Sequence, residues 1–347
     1  VEWLVYGANG YTGELIARHA ASPGLRPILA GRSEADVRLL AGELGLPHRA
    51  FGLDSGDALD AGLRGIGLVL HCAGPFSRTS RPMADACLRA RAHYLDITGE
   101  IPVFESLAER DAEAWAAGVM LLPGVGFDVV ASDCLAAHLK RRLPTATRLT
   151  LAFRAGRPSR GTAMTIVENL HRGGVVRRGG RLTPVPSAWK TRAIDFGRGP
   201  RTAITIPWGD VSTAYHSTGI PDIEVYMAAP PGLRALARAA RVLGPLLGWG
   251  PVQAFLKARI RAGAPGPSAE ERARGRSDLW GEAADDAGHR VAARMVTPDG
   301  YTFTAQAAVA IARRVVAGEA RPGFQTASRV FGPDFPLSLE AVSREDL

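Results

Sequence analysis

Three glycines, Gly7, Gly10 and Gly13, punctuate the opening stretch VEWLVYGANGYTGELIA. An apolar run (Val1, Trp3, Leu4, Val5) leads into them, and a helical pattern with Leu15 and Ile16 on one face follows. Strand, glycine-rich turn and helix in that order can hold the pyrophosphate of a dinucleotide. Gly7 allows the tight turn, Gly10 lets the backbone approach a phosphate, and Gly13 lets the helix pack close to the sheet. The N–H groups at the helix start add a partial positive charge. Asn9, Tyr11 and Thr12 fill the turn, with Tyr11 placed to pack over the cofactor. The spacing is GxxGxxG rather than GxGxxG, and a turn that binds nothing is the alternative.

At the end of the next apolar run, Arg26 to Ala30, stand Gly31, Arg32 and Ser33. An enzyme for NAD usually places Asp or Glu there to hold the ribose 2′-hydroxyl. A guanidinium and a hydroxyl suit a 2′-phosphate, so the pair points to NADP(H). An ordinary exposed arginine is the other reading. Asp54 follows the third strand and serves either the adenine amino group or the cap of the next helix. Ala73, Gly74, Pro75 and Phe76 follow the fourth strand and leave room for the nicotinamide-side ribose. Thr98, Gly99 and Glu100 follow the fifth. Reduction also needs a proton donor near the atom left negative. Asp128, after Gly126 and Phe127, is the first candidate, with Asp96 and Glu100 on the neighbouring loop; capping the helix from Val129 is the alternative role for Asp128. Tyr215 and His216 form a second candidate pair of acid or substrate anchor, read here as strand residues on opposite faces, against a purely structural histidine. Lys190 is an outside candidate in a loop, and Cys72 reads as packing.

The elements that must position these residues recur about every twenty residues. Strands are expected at His48–Leu53, Gly67–Cys72, Ala92–Ile97 and Gly118–Leu122, with helices between, such as Glu34–Gly45. Every candidate up to Asp128 then falls at the carboxyl end of a parallel sheet, where open α/β sheets bind ligands. The expected fold is α/β: an N-terminal Rossmann-type, doubly wound parallel sheet over residues 1–128, with a second α+β domain over 129–322. A helix over Val129–Arg142 leads into antiparallel-looking strands at Arg148–Arg154, Thr202–Pro207 and Ile223–Ala228. A helix at Thr162–His171 is inserted among them, and Gly156–Arg160 and Gly173–Gly180 read as loops. Residues 230–263 read as an apolar helical hairpin carrying Leu233, Leu236, Val242, Leu243, Leu246, Leu247, Trp249 and Phe255 between arginines. Gly263–Gly275 reads as a turn, Leu279–Gly281, His289–Thr297 and Tyr301–Ala307 as strands, and Thr304–Ala317 as holding a helix. The tail, 323–347, is expected to fold back on the cofactor domain.

At 347 residues and 46% hydrophobic content the chain can build two cores. No apolar run reaches the ~18–20 residues of a membrane span. Three widely spaced cysteines (Cys72, Cys87, Cys134) and no leader before the first strand give the expectation of a cytoplasmic protein, without disulfides or metal. The net charge of +8 is spread without any nucleic-acid-binding motif, so no nucleic-acid partner is expected. The hairpin could pack on its own domain, form a dimer interface, cover a greasy substrate or make a peripheral membrane contact.

Together the motifs resemble the saccharopine dehydrogenase-like oxidoreductases, in particular the branch that includes bacterial trans-acting enoyl reductases. The matching pieces are YGANGYTG at Tyr6–Gly13, AGR at Ala30–Arg32, CAGPF at Cys72–Phe76 and YLDITGE at Tyr94–Glu100. PGVGFDVVASD at Pro123–Asp133 and GPSAEER at Gly266–Arg272 extend them. QTASRVFG at Gln325–Gly332 departs from the family's closing loop, having Ala327 and Ser328 near the expected proline and alanine. The resemblance implies a Rossmann domain, a second domain often used for dimerisation, hence a homodimer, and NADP(H)-linked reduction. It implies a small-molecule or carrier-linked substrate, reduced at C=C or C=N, and hydrophobic given the apolar second domain. Two alternatives stand beside it. One is a saccharopine-type imine reductase, for which Arg154, Arg157 and Arg160 would have to face substrate carboxylates; the other is a non-catalytic nucleotide-binding scaffold at a membrane or lipid surface.

Overall fold

Strand and helix alternate through the first 122 residues in the computed structural model. It describes residues 1–21, 24–169 and 171–347, with backbone alone at Leu233, Leu236, Arg241, Val242 and Pro245. The order is β1 (Glu2–Tyr6), α1 (Tyr11–Ala21), β2 (Ile28–Gly31), α2 (Glu34–Leu44), β3 (His48–Ala50), α3 (Gly56–Gly62) and β4 (Ile66–His71). Then come α4 (Phe76–Ala90), β5 (His93–Asp96), α5 (Ile101–Ala108), α6 (Asp111–Ala117), β6 (Met120–Leu122) and α7 (Val130–Arg142). The second stretch runs β7 (Arg148–Arg154), α8 (Arg160–Asn169), β8 (Gly174–Arg178), β9 (Arg181–Val185), β10 (Thr191–Asp195), β11 (Pro200–Thr205) and α9 (Asp210–Thr218). It continues with β12 (Asp222–Ala228), α10 (Pro231–Leu247), α11 (Gly250–Arg261), α12 (Ala269–Arg274), β13 (Arg276–Ala284) and β14 (Arg290–Pro298). Last are α13 (Gly300–Val316), β15 (Gly323–Phe324), α14 (Ala327–Phe331) and β16 (Ser343–Asp346). Two compact units result: Val1–Val130 with Tyr301–Gly332, and Ala131–Gly300 with Pro333–Leu347. Residues 301–322, read in sequence as part of the second domain, thus fall in the first unit, whereas 333–347, read as folding back on the cofactor domain, fall in the second, where β16 pairs with β14.

The first unit is built on a parallel sheet in the order β15-β6-β5-β4-β1-β2-β3. Trp3, Leu4, Val5 and Tyr6 are all buried, because helices cover both faces of the sheet and leave no polar side for alternation. The chain reverses its direction of growth at β1, so the crevice outside the carboxyl ends of β1 and β4 is the topological switch point. Every right-handed crossover delivers a βα loop to that same edge. The stretch Tyr301–Ala307, expected as a strand, is the start of α13. Its β-branched and aromatic residues favour a strand locally, but Phe303, Ala307, Ile311 and Val315 recur at helical spacing and are buried. Burial decides it.

The second unit holds a mixed sheet in the order β10-β11-β12-β7-β13-β14-β16, with the β8–β9 hairpin attached at β12. The strands are not all antiparallel, since β7 and β12 pair in parallel. Gly173–Gly180 is no loop: its glycines flank β8 and turn the hairpin into β9. Gly263–Gly275 likewise contains α12, closed by a capping box between Ser268 and Glu271. Helix α8 ends at Asn169; Leu170, within its expected span, lies outside the described residues, as do the hairpin side chains of Leu233, Leu236 and Val242. Among the described residues no helix is long and apolar enough to cross a membrane.

Candidate functional site

Gly7 ends β1 with φ of +80°, and a Cβ there would stand 2.8 Å from the Ala73 nitrogen. Its N–H donates to Ala30 O (2.7 Å), which ties the turn to β2. Gly10 N donates back to Gly7 O (3.0 Å), and Glu14 N to Gly10 O (2.8 Å), so α1 starts immediately. A Cβ on Gly13 would fall inside the Gly7 carbonyl. Only a glycine lets α1 approach so closely. Asn9 and Gly10 are exposed at the rim while Gly13 is buried. Tyr11 leans edge-on against Tyr301 at the start of α13 (5.2 Å between centroids).

At the end of β2, Arg32 is exposed, and Ser33 caps α2 by accepting from Asp36 N (3.4 Å). Neither oxygen-rich acid nor apolar cover intervenes between β2 and this cap. Asp54 is exposed beyond β3, and the cap of α3 is Ser55, which removes the capping role for Asp54. Arg32 and Asp54 both act electrostatically on the Tyr6 hydroxyl, which burial pushes up to about 12. They therefore share one end of the sheet. The fit to an adenosine 2′-phosphate is good: a free guanidinium, a hydroxyl and a helix N-terminus converge, and no carboxylate follows β2 directly.

Beyond β4, Ala73 lies against Gly7, and Thr79 Oγ1 donates to Ala73 O (2.6 Å), which fixes the Ala73–Phe76 turn. Glu100 turns its carboxylate on the start of α4, accepting from Phe76 N (2.9 Å) and Ser77 N (3.2 Å). An acid at a helix N-terminus is favourable, and here it holds the start of α4. His71 is fully buried among the rings of Tyr6, Phe76 and Tyr94, and burial pushes its imidazole down to about 3. It stays neutral. Asp96 is fully buried and clamps two loops together. It accepts from Thr98 N (2.9 Å), Gly124 N (2.9 Å) and the Tyr94 hydroxyl (2.7 Å), while burial still pushes its carboxyl up to about 6. Replacing it by Ala would strand three buried donors. Asp96→Ala is expected to cost about 3 kcal/mol or more, at ~1–3 kcal/mol per orphaned donor, read by urea unfolding against the parent.

Those two loops carry Gly99 and Asp128. A Cβ on Gly99 would stand 3.2 Å from Asp128 Oδ2, so the glycine makes room for this carboxyl. Asp128 is half-buried and has no hydrogen-bond partner among the described residues; burial alone pushes its carboxyl up to about 7. Helix α7 begins at Val130, so Asp128 does not cap it. Its turn is held from α13: Phe127 N donates to Thr304 Oγ1 (2.9 Å), and the Phe127 ring packs edge-on against Phe303. Asp96 and Asp128 both hold a proton toward neutrality, but Asp96 is tied up by three donors, whereas Asp128 has no hydrogen-bond partner among the described residues.

Residues 3–122 match the family model described as the saccharopine dehydrogenase NADP-binding domain. That stretch is similar to a saccharopine dehydrogenase-type NADP-binding domain. A trans-acting enoyl reductase of Mycobacterium leprae is 34% identical over 148 residues, which is 40% of this chain and 35% of the relative. The match thus spans about a third of that relative's length. Among solved structures, a saccharopine dehydrogenase (L-Glu forming) from Saccharomyces cerevisiae superposes with a TM-score of 0.68 at 11% identity, over 100% of this chain and 99% of the other. A homospermidine synthase from Legionella pneumophila gives 0.63 at 9% identity, over 100% and 91%. Both share the fold.

The domain gathers Gly7, Asn9, Gly10, Tyr11, Thr12, Gly13, Arg32, Ser33, Asp54, Ala73–Phe76, Thr98–Glu100 and Asp128 at one edge of its sheet. Thr304 and Tyr301 also support that edge and carry no local sequence signal, being far along the chain from the turns they hold. Asp96 did carry one: an Asp two residues before Thr98 N is an Asx-turn spacing. Tyr215 and His216 belong to the other unit and lie on α9, not on a strand. The segment is helical, with Ser217 Oγ donating to Thr213 O (3.0 Å) and Thr218 Oγ1 to Ala214 O (2.5 Å) one turn back, and Gly219 ending it in the left-handed region. The Tyr215 ring is covered by the Arg177 guanidinium at 4.2 Å. Lys190 is not in a free loop, since its ammonium pairs with Glu224 at 2.6 Å. The arginines proposed to meet substrate carboxylates are engaged within their own unit: Arg154 with Asp278, Arg157 with Glu271 and Gly266 O, Arg160 with Gly263 O.

Proposed function

We propose that the chain is an NADP(H)-dependent reductase that acts on the C=C or C=N bond of a hydrophobic or carrier-linked metabolite. The bound cofactor would supply hydride; the protein's own residues bind, orient and protonate. In this reading the turn Gly7–Gly13, with Asn9, Tyr11 and Thr12, holds the pyrophosphate at the start of α1. Arg32 and Ser33 take the 2′-phosphate, and Asp54 the adenine amino group. Ala73–Phe76 with Thr98 and Gly99 border the nicotinamide-side ribose, while Glu100 holds α4 in place. Asp128 gives its proton to the atom left negative. The observation that carries the reading is the Asp128 carboxyl: unpartnered among the described residues, half-buried, and pushed up to about 7, so that near neutrality it holds a proton it can release. Three free cysteines, two of them buried, are consistent with a reducing compartment such as the cytoplasm.

Arg32→Ala is expected to weaken NADPH binding about tenfold to a hundredfold, the value of ~1.5–3 kcal/mol for hydrogen bonds to a charged group, and to leave NADH binding unchanged. Fluorescence titration with each nucleotide reads this. The activity itself is tested by following NADPH absorbance with a 2-enoyl thioester and with an imine formed from an amino acid and an aldehyde. Consumption with the thioester supports the C=C reading, and consumption with the imine alone turns the assignment to C=N. No consumption with either, together with no nucleotide binding, overturns it.

A further inference from the structure

We propose that the α10–α11 hairpin seats the protein on an anionic lipid surface, lying in the headgroup layer rather than crossing it. This stands apart from the proposed reductase activity. Five of the ten exposed large apolar side chains among the described residues lie on this hairpin and on α8 beneath it: Ile166, Leu243, Leu246, Trp249 and Phe255. Trp249, at the joint of the two helices, is 59% exposed, and Phe255 is 64% exposed. An aromatic pair at that level of exposure is the type of anchor that settles at a membrane–water boundary. The hairpin is held from below. Gln253 Nε2 donates to Val167 O (2.9 Å), and Lys257 pairs with Glu168 (2.6 Å), so α11 is fixed on α8 while Phe255, Arg259 and Arg261 stay exposed.

Charge names the occupant. Residues 230–263 contain Arg234, Arg238, Arg241, Lys257, Arg259 and Arg261 and no acidic residue, against a net charge of +8 for the whole chain. No Asp or Glu occurs between Glu224 and Glu270. Neither Arg259 nor Arg261 has an ion-pair partner among the described residues. A second copy of the same hairpin would bring like charges together, whereas anionic headgroups beneath exposed Leu, Trp and Phe satisfy both features at once.

The test is flotation of the full chain with vesicles of phosphatidylcholine alone and of phosphatidylcholine with phosphatidylglycerol. The wild type should float with the anionic vesicles only, and added salt should release it. Two double variants, Trp249→Ser with Phe255→Ser and Arg259→Glu with Arg261→Glu, should each cut the bound fraction about tenfold. All four side chains are on exposed surface, and circular dichroism checks that the variants fold. The proposal is overturned if the wild type floats with neither vesicle, or if both variants float as it does. It is equally overturned by a concentration-dependent dimer that the Trp249/Phe255 variant abolishes, since a second copy would then cover this face.

Discussion

Asp128→Asn is expected to bind NADPH as the parent does and to turn substrate over about 10²–10⁴ times more slowly, the usual worth of a positioned acid. The parent should lose activity as pH rises through about 7, where this carboxyl gives up its proton. The variant's residual rate should show no such limb. Stability should move the other way. An unfolded Asp ionises near pH 4, but in the fold its carboxyl holds the proton up to about 7. The folded state therefore begins to pay for the ionised form as pH climbs from about 4, and pays it fully above 7. Asn carries no charge to desolvate, so the variant should be more stable than the parent at pH 8, by about 1–2 kcal/mol after allowing for partial solvation, and equal to it at pH 4. Thermal melts at the two pH values read the difference. A residue whose role is structural would lose stability on substitution; one held in a costly environment for its chemistry gains it.

Gly13→Ala should abolish nucleotide binding and cost about 3 kcal/mol or more, because its methyl meets the Gly7 carbonyl, which belongs to the turn itself. No side chain can swing aside, so α1 must move away from β1. Gly10→Ala separates fold from function. Its Cβ would come no closer than 3.3 Å to any atom, that of Gly7 O, so stability should change by less than about 1 kcal/mol. The same methyl would stand at the exposed rim where a pyrophosphate has to approach. Nucleotide affinity should fall while the unfolding midpoint holds. Equal nucleotide binding by Gly10→Ala and the parent would remove the turn from the site.

The cofactor half of the molecule was legible because its signals are local. Gly7, Gly13, Ser33 and the β-strand runs each act on neighbours a few residues away, and the order of strands follows from the handedness of the crossovers. The supports of Asp128 were not legible. Thr304 accepts from Phe127 N across a long sequence separation, and the run Tyr301–Thr304 reads as a strand until its burial is known. Glu100 shows the limit from another side. Its place after β5 suggests a ligand contact, and nothing local in the sequence shows that its carboxylate reaches the first amides of α4. In the second unit the glycines of Gly173–Gly180 were read as a loop, because a glycine-flanked hairpin and an irregular segment share the same composition. Tyr215 and His216 lie on a helix although their local sequence suits a strand, because α9 packs beside β12 and β8 within the second unit's fold.

Titration of the purified protein with NADPH and with NADH, followed by nicotinamide fluorescence, tests the central claim most directly. NADPH binding should be saturable and stronger than NADH binding, and should fall to the NADH level in Arg32→Ala. Failure of both nucleotides to bind would contradict it, and would leave a protein with the fold of an NADP-binding domain and no use for the cofactor.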